Sequence, residues 1–168
     1  MRENNRQKPP QYPSGQGEQA PKCPKAEPVS LLRGNRPARI LHCDDEPTVR
    51  DCVKLMLQFL FKDYHLAQCD SGYATLRKVT RRKPDLLITD CCHPGLRFEE
   101  TLPLLFRRRA RFPILVTSAQ IGPRHIRKHL LSFPTFEIAL LDKPFTVANL
   151  RAKVLKCLHR ATDPESEV

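Results

Sequence analysis

The sequence predicts an α/β fold: a doubly wound parallel sheet of five strands with five helices. Two observations predict it. Short apolar runs alternate along the chain with stretches whose apolar residues recur at helical spacing, and such alternation implies crossover connections, a parallel sheet and helices on both faces. Four of the runs also end in a chemically loaded residue. Asp44 and Asp45 follow Arg39-Ile40-Leu41-His42-Cys43, Asp90 follows Leu86-Leu87-Ile88-Thr89, Ser118 follows Ile114-Leu115-Val116-Thr117, and Lys143 follows Ile138-Ala139-Leu140-Leu141-Asp142. In a parallel sheet these side chains converge at the carboxyl edge, where open sheets bind ligands.

Each element has its own signal. After the first strand, Val49, Val53, Met56, Leu57 and Leu60 follow Pro47 at helical spacing, which predicts a helix over 47–61 with proline in its first turn and Asp45 and Glu46 at its amino end. Residues 64–68 read as a short strand, and Ser71-Gly72 opens a second helix through about Arg82. Lys83-Pro84-Asp85 introduces the strand 86–89, a third helix covers 98–109, and a strand follows at 113–117. A fourth helix begins near Pro123 and ends before Pro134, followed by a strand at 136–141. Thr146 caps the last helix, where Val147, Leu150, Val154, Leu155 and Leu158 form an apolar stripe.

Composition bounds the rest. The length of 168 residues and 40% apolar content suit one compact domain plus a tail. Residues 1–37 are rich in Pro, Gln, Asn, Gly and Lys, and too poor in packing residues to repay the entropy of ordering, so they read as a disordered basic tail. The folded domain is expected at 38–161 and a short acidic tail at 162–168. Seven cysteines, odd in number and without a Cys-x-x-Cys pair, point to reduced thiols, and no apolar run approaches the roughly 20 residues of a membrane span. The expected location is the cytoplasm, without membrane insertion.

The net charge of +11 is spread over tail and domain. Arg81-Arg82-Lys83 and Arg107-Arg108-Arg109 lie at predicted helix carboxyl ends, where cations are favoured, and the tail lacks aromatic interleaving. Solvated groups therefore account for them, and direct nucleic-acid contact is not expected. Gathering three carboxylates is costly, because each like-charge pair at about 4 Å opposes the other by roughly 4 kcal/mol at an effective dielectric near 20. A lysine and a divalent cation are the natural counterweights, and the set reads as a metal-assisted phosphate site.

The motifs Ile40-Leu41-His42-Cys43-Asp44-Asp45-Glu46-Pro47, Ser71-Gly72-Tyr73-Ala74-Thr75-Leu76, Pro84-Asp85-Leu86-Leu87-Ile88-Thr89-Asp90, Pro94-Gly95, Pro113-Ile114-Leu115-Val116-Thr117-Ser118-Ala119 and Lys143-Pro144-Phe145 occur in order. Together they resemble the receiver domain of two-component response regulators, over roughly residues 38–160. The resemblance implies a flavodoxin-like sheet with strand order 2-1-3-4-5. It also implies that Asp90 accepts a phosphoryl group from a histidine kinase or phosphotransfer protein. Mg²⁺ would be held directly by Asp45, Asp90 and the main-chain carbonyl of Cys92, and by Asp44 largely through water. Lys143 would stabilise the phosphoryl group and Ser118 would sense it. Thr117 ranks below Ser118, since it should point to the opposite side of the strand. As in relatives, the Lys143-Pro144 bond is expected to be cis, at the low cost that only an X-Pro bond allows.

Two positions depart from the family pattern: Leu140 stands where many receivers carry a switching aromatic, and His93 fills the place of a methionine. Gln120 occupies a position that tunes dephosphorylation in relatives. A rival reading takes His42, Cys43, Cys91, Cys92 and His93 as ligands for zinc or a redox metal. It is set aside because adjacent Cys91 and Cys92 should point to opposite sides and Cys43 suits a strand core.

No attached effector is apparent, which implies a stand-alone regulator acting in trans through the fourth helix, fifth strand and fifth helix. The basic row Arg124, His125, Arg127 and Lys128 in that fourth helix suggests an acidic docking surface on the target. A phosphorylation-independent adaptor and a basic nucleic-acid-associated regulator are the alternatives. No set of nucleophile, base and orienting group, and no Gly-rich phosphate loop, indicates an enzyme acting on an outside substrate.

Overall fold

The computed structural model describes residues 27–92, 95–108, 110–119 and 136–160. In chain order the elements are β1 (Val29–Ser30), β2 (Leu32–Arg33), β3 (Arg36–Cys43), α1 (Pro47–Leu60), β4 (Phe61–Lys62), β5 (Tyr64–Cys69), α2 (Gly72–Arg81), β6 (Leu86–Asp90), α3 (Phe98–Arg107), β7 (Ile114–Ser118), β8 (Ile138–Asp142) and α4 (Val147–Arg160). Helix α4 is the one that the sequence predicts as its last. The helix expected within 123–134 lies outside the described residues.

The helices start where their sequences offer a stop for the preceding chain. Pro47 opens α1, needing no N–H partner there. Ser71 Oγ accepts from the Ala74 N–H at 3.4 Å to cap α2, and Thr146 Oγ1 accepts from the Asn149 N–H at 3.1 Å to cap α4. At α3 the Glu100 carboxylate reaches back to the Arg97 N–H at 2.9 Å.

The sheet's five parallel strands run β5-β3-β6-β7-β8, which is the expected order 2-1-3-4-5. Both faces of this sheet are covered, and the alternation of each strand divides its residues between them. Leu41, Cys43, Leu87, Ile114 and Val116 pack with residues of α2 and α3, including Leu76, Val79, Leu102 and Leu105. Ala38, Ile40, Leu86, Ile88 and Leu115 pack with Val53 and Leu57 of α1 and Leu150 and Val154 of α4. Strands β6 and β7 are buried along their whole length, as parallel strands sandwiched between helices must be.

The amino-terminal side differs from the sequence expectation, which begins the folded unit at 38. Leu31 is buried, its N–H donates to the Lys62 carbonyl at 2.9 Å, and its carbonyl accepts from Ala38 at 2.8 Å. Strand β1 pairs in parallel with β4, and β2 pairs antiparallel with the start of β3 through Gly34-Asn35, where Gly34 takes a φ of 62°. A two-residue hairpin loop with glycine first asks for that left-handed backbone. The run Val29-Ser30-Leu31-Leu32 thus docks on the domain although the segment around it is polar. The strand expected at 136–141 is also displaced: β8 begins at Ile138, and Phe136 is a core side chain ahead of it.

Tight packing fixes the α2–α3 face. A Cβ on Gly72 would collide with the Leu96 backbone oxygen and with Thr101 Oγ1, so the start of α2 accepts no side chain there. No helix among the described residues is long and apolar enough to cross a membrane.

Candidate functional site

Strands β3, β6, β7 and β8 end side by side, so the residues at the carboxyl ends of their apolar runs meet at one edge. Register places Cys43 against Thr89, Asp90 against Thr117, and Ser118 against Asp142. Lys143, one residue beyond β8, donates its backbone N–H to the Ser118 carbonyl at 2.8 Å, which extends the ladder and aims its side chain inward. Its Nζ then lies 2.8 Å from Asp44 Oδ2 and 2.7 Å from Asp90 Oδ1. The Lys143-Pro144 peptide is cis.

Both acids are nearly buried, Asp44 at 1% and Asp90 at 8% exposure, so each needs its polar partners. Asp44 Oδ1 accepts from the Glu46 N–H at 3.0 Å, and Asp90 Oδ2 accepts from the Cys92 N–H at 2.6 Å. Burial by itself would lower the Lys143 pKa, but hydrogen bonds to Asp44 and Asp90 and their charges outweigh it and hold the ammonium above the ordinary lysine value. The lysine is a fixed cation here. Arg50 supports the loop from behind, donating to the Asp44 carbonyl at 2.8 Å and the Asp45 carbonyl at 3.0 Å.

Asp45 itself is exposed at the rim. What joins Asp44 to Asp90 is the lysine. The donor set still suits a hard divalent cation, because Mg²⁺ keeps several waters and takes only one or two carboxylates from the protein. Asp90 offers carboxylate oxygens beside the Cys92 main chain, and Asp45 stands open to solvent on the same edge.

A family profile described as the response regulator receiver domain matches residues 40–155, well over half of the chain. The chain belongs to the response regulator receiver domain family. Curated relatives of this receiver domain include the response regulator MprA of Mycobacterium leprae (strain TN), 29% identical over 127 residues that make up 76% of this chain and 53% of that protein. MprA of Mycobacterium sp. (strain KMS) is 29% identical over 129 residues, 77% of this chain and 54% of the relative. The chain spans about half the length of the curated relatives it matches.

Among solved structures, the receiver domain of the Francisella response regulator 1452 superposes with a TM-score of 0.65 at 19% identity, over 74% of this chain and 99% of that one. The receiver domain of the sensor histidine kinase PA1611 from Pseudomonas aeruginosa PAO1, solved with magnesium coordinated in its active site cleft, gives 0.63 at 22% identity, over 73% and 98%. These likenesses show the fold.

The receiver's two hydroxyl candidates separate as strand alternation requires. Thr117 Oγ1 turns to the Thr89 carbonyl at 3.4 Å, whereas Ser118 Oγ accepts from Cys91 Sγ at 2.9 Å, beside the acid edge. Both are buried. Burial drives the Cys91 thiol up to about 12, so it is a neutral donor to Ser118.

Among the described residues, the soft-ligand candidates do not gather into one set. His42 is fully buried with Nδ1 3.3 Å from Gln68 Nε2, and burial pushes its pKa down to about 4, leaving a neutral imidazole inside the core. Cys43 is buried on the opposite side of β3. Cys91 and Cys92, however, do not point to opposite sides: their sulfurs lie 3.1 Å apart. The alternation argument fails because β6 ends at Asp90, and the two cysteines occupy a bend instead of a strand. His93 lies outside the described residues.

Proposed function

We propose that this receiver domain is a phosphoacceptor of two-component, His-Asp signalling and carries the phosphoryl group on Asp90. The observation behind the reading is the paired hydrogen bond of Lys143 Nζ to Asp44 and Asp90, which sets a fixed cation beside a nearly buried carboxylate at the sheet edge. A carboxylate oxygen of Asp90 attacks the phosphorus of a phosphohistidine on a kinase or phosphotransfer protein. The P–O bond forms as the P–N bond breaks, and the electron pair leaves with the imidazole. The Lys143 ammonium pairs with charge on the equatorial phosphoryl oxygens. Asp45, Asp90 and the Cys92 carbonyl, with Asp44 through water, would hold Mg²⁺, which when bound neutralises phosphoryl oxygens.

The adduct adds charge where one carboxylate stood, and the Ser118 hydroxyl is placed to turn toward it and draw the segment after β7 inward. Output runs in trans, through the segment 123–134, β8 and α4, to a partner protein. The folded domain takes in the β1–β2 segment ahead of residue 38, and it works in the cytoplasm. It promotes only its own phosphorylation and the reversal of that step, as phosphoacceptors do, and is not an enzyme for outside substrates. A phosphorylation-independent adaptor is the second reading, favoured by Leu140, which packs half-buried on the core in the place of a switching ring.

Intact mass after incubation with Mg²⁺ and acetyl phosphate separates the two. A phosphoryl adduct on the wild type that is absent from Asp90→Asn, and absent without Mg²⁺, is the expected result. Equal spectra for wild type and variant overturn the assignment of Asp90 and leave the adaptor.

A further inference from the structure

Among the described residues, one group of three potential ligand side chains gathers its donor atoms within 4.8 Å of one another, and it consists of Asp90, Cys91 and Cys92. Two of its members are thiols. The Cys91 and Cys92 sulfurs are 3.1 Å apart, Cys92 is open to solvent, and Cys91 Sγ is 2.9 Å from Ser118 Oγ. From this geometry we propose that Asp90, Cys91 and Cys92 form a site for a thiophilic divalent cation of the zinc class, distinct in chemistry from a magnesium site.

A disulfide is the poorer use of the pair. Adjacent Cα atoms across a trans peptide are about 3.8 Å apart, short of the roughly 4.4–6.8 Å that disulfides span. The one cis bond among the described residues lies elsewhere, at Lys143-Pro144. Chelation asks for less. Two metal–sulfur bonds of about 2.3 Å at a tetrahedral angle hold their sulfurs roughly 3.8 Å apart. The sulfurs stand 3.1 Å apart, so they must separate by about 0.7 Å to reach that spacing, and the exposed Cys92 is the side chain with room to turn. The Asp90 carboxylate supplies a third donor and water the fourth, a mixed sulfur and oxygen set within the ligand types zinc accepts. Each thiol releases its proton to solvent as its sulfur bonds the ion, so two protons leave per cation and no electrons move.

The site shares Asp90 with the phosphoacceptor reading. An ion held there would withhold the carboxylate from phosphorylation, a consequence that rests on the function proposed above. Binding itself does not rest on it.

Cobalt(II) is the probe for binding, since thiolate ligation gives it charge-transfer absorption. Titrating the reduced full chain should produce that absorption with one ion per chain, and Cys52→Ser should retain it. The Cys91→Ser/Cys92→Ser variant should lose it, and its affinity should fall at least about tenfold, because even outer-shell partners change metal affinity by roughly 10–100-fold. Alkylation of Cys92 in the wild-type chain gives a reading that needs no variant: Zn²⁺ should slow it and Mg²⁺ should not. Equal absorption in wild type and double variant, or a Cys92 labelling rate indifferent to Zn²⁺, overturns the site. If the double variant does not fold, the labelling rate decides. Saturating Zn²⁺ should also reduce the acetyl phosphate adduct, reversibly on chelation. An undiminished adduct on zinc-loaded protein overturns the blocking role and leaves the binding site standing.

Discussion

The Lys143 ammonium lies 2.7 Å from Asp90 Oδ1, and the same nitrogen holds Asp44 at 2.8 Å. One cation thereby neutralises two acids that are almost out of water, and removing it strands them. We expect Lys143→Met to cost about 3 kcal/mol, the lower end for breaking a buried ion pair, because the lysine is 20% exposed. Adding Asp44→Asn should return part of that loss. A denaturant double-mutant cycle measures both, and additive effects would mean that the pair is not coupled.

Gly72→Ala tests the α2–α3 packing. Alanine would gain up to about 1 kcal/mol of helix propensity at this position. The added methyl has nowhere to go, since Leu96 backbone and Thr101 Oγ1 already occupy its place. Overpacking of this kind costs about 1–3 kcal/mol, so a net drop in the midpoint of urea unfolding is expected. A stabilised variant would contradict the packing.

Asp85 gives a pH dependence of known sign. Its carboxylate accepts both Arg36 guanidinium nitrogens at 2.7 Å and the Arg39 N–H at 2.7 Å. Burial works to raise its pKa, but these partners prevail and hold it below the ordinary carboxylate value. A lowered folded pKa contributes stability that is present above the unfolded value of about 3.9 and is lost as pH falls through the folded one. Arg36 is 44% exposed, so solvent screens the pair. Asp85→Asn should therefore lose only about 1 kcal/mol at pH 7, measured by thermal unfolding, and the gap should close on acidification below about pH 4. A gap that persists in acid would point to packing instead of charge.

Ser118→Ala removes the buried hydroxyl that accepts from Cys91. In the modified wild-type protein, amide exchange in β8 and α4 should differ from the unmodified state. In the variant that difference should shrink, while a full-sized difference would exclude Ser118 as the coupling group.

The sequence reveals those parts of the fold whose signals are long or chemically explicit. Helices α1, α2 and α3 fall within two residues of their expected ends, and α4 starts directly after its expected cap, Thr146. Lys143 and Asp90 are legible as site neighbours since both come directly after apolar runs, and parallel register does the rest. The two-residue strands β1, β2 and β4 are not, for a pair of residues has no periodicity to detect. Nor is the convergence of Cys91 and Cys92, because strand alternation stops at Asp90, one step before them. That Asp44 is buried while its neighbour Asp45 is exposed is not legible either, because tertiary contacts determine it.

Asp90 as the residue that carries the phosphoryl group is the claim on which the rest depends. Borohydride reduces an aspartyl acyl phosphate to homoserine, so treating the chain after Mg²⁺ and acetyl phosphate and then sequencing its peptides by mass spectrometry locates the modified residue. Homoserine at position 90, and at no other aspartate, is the predicted result. Conversion at a different residue, or none while an adduct is present by intact mass, would contradict it.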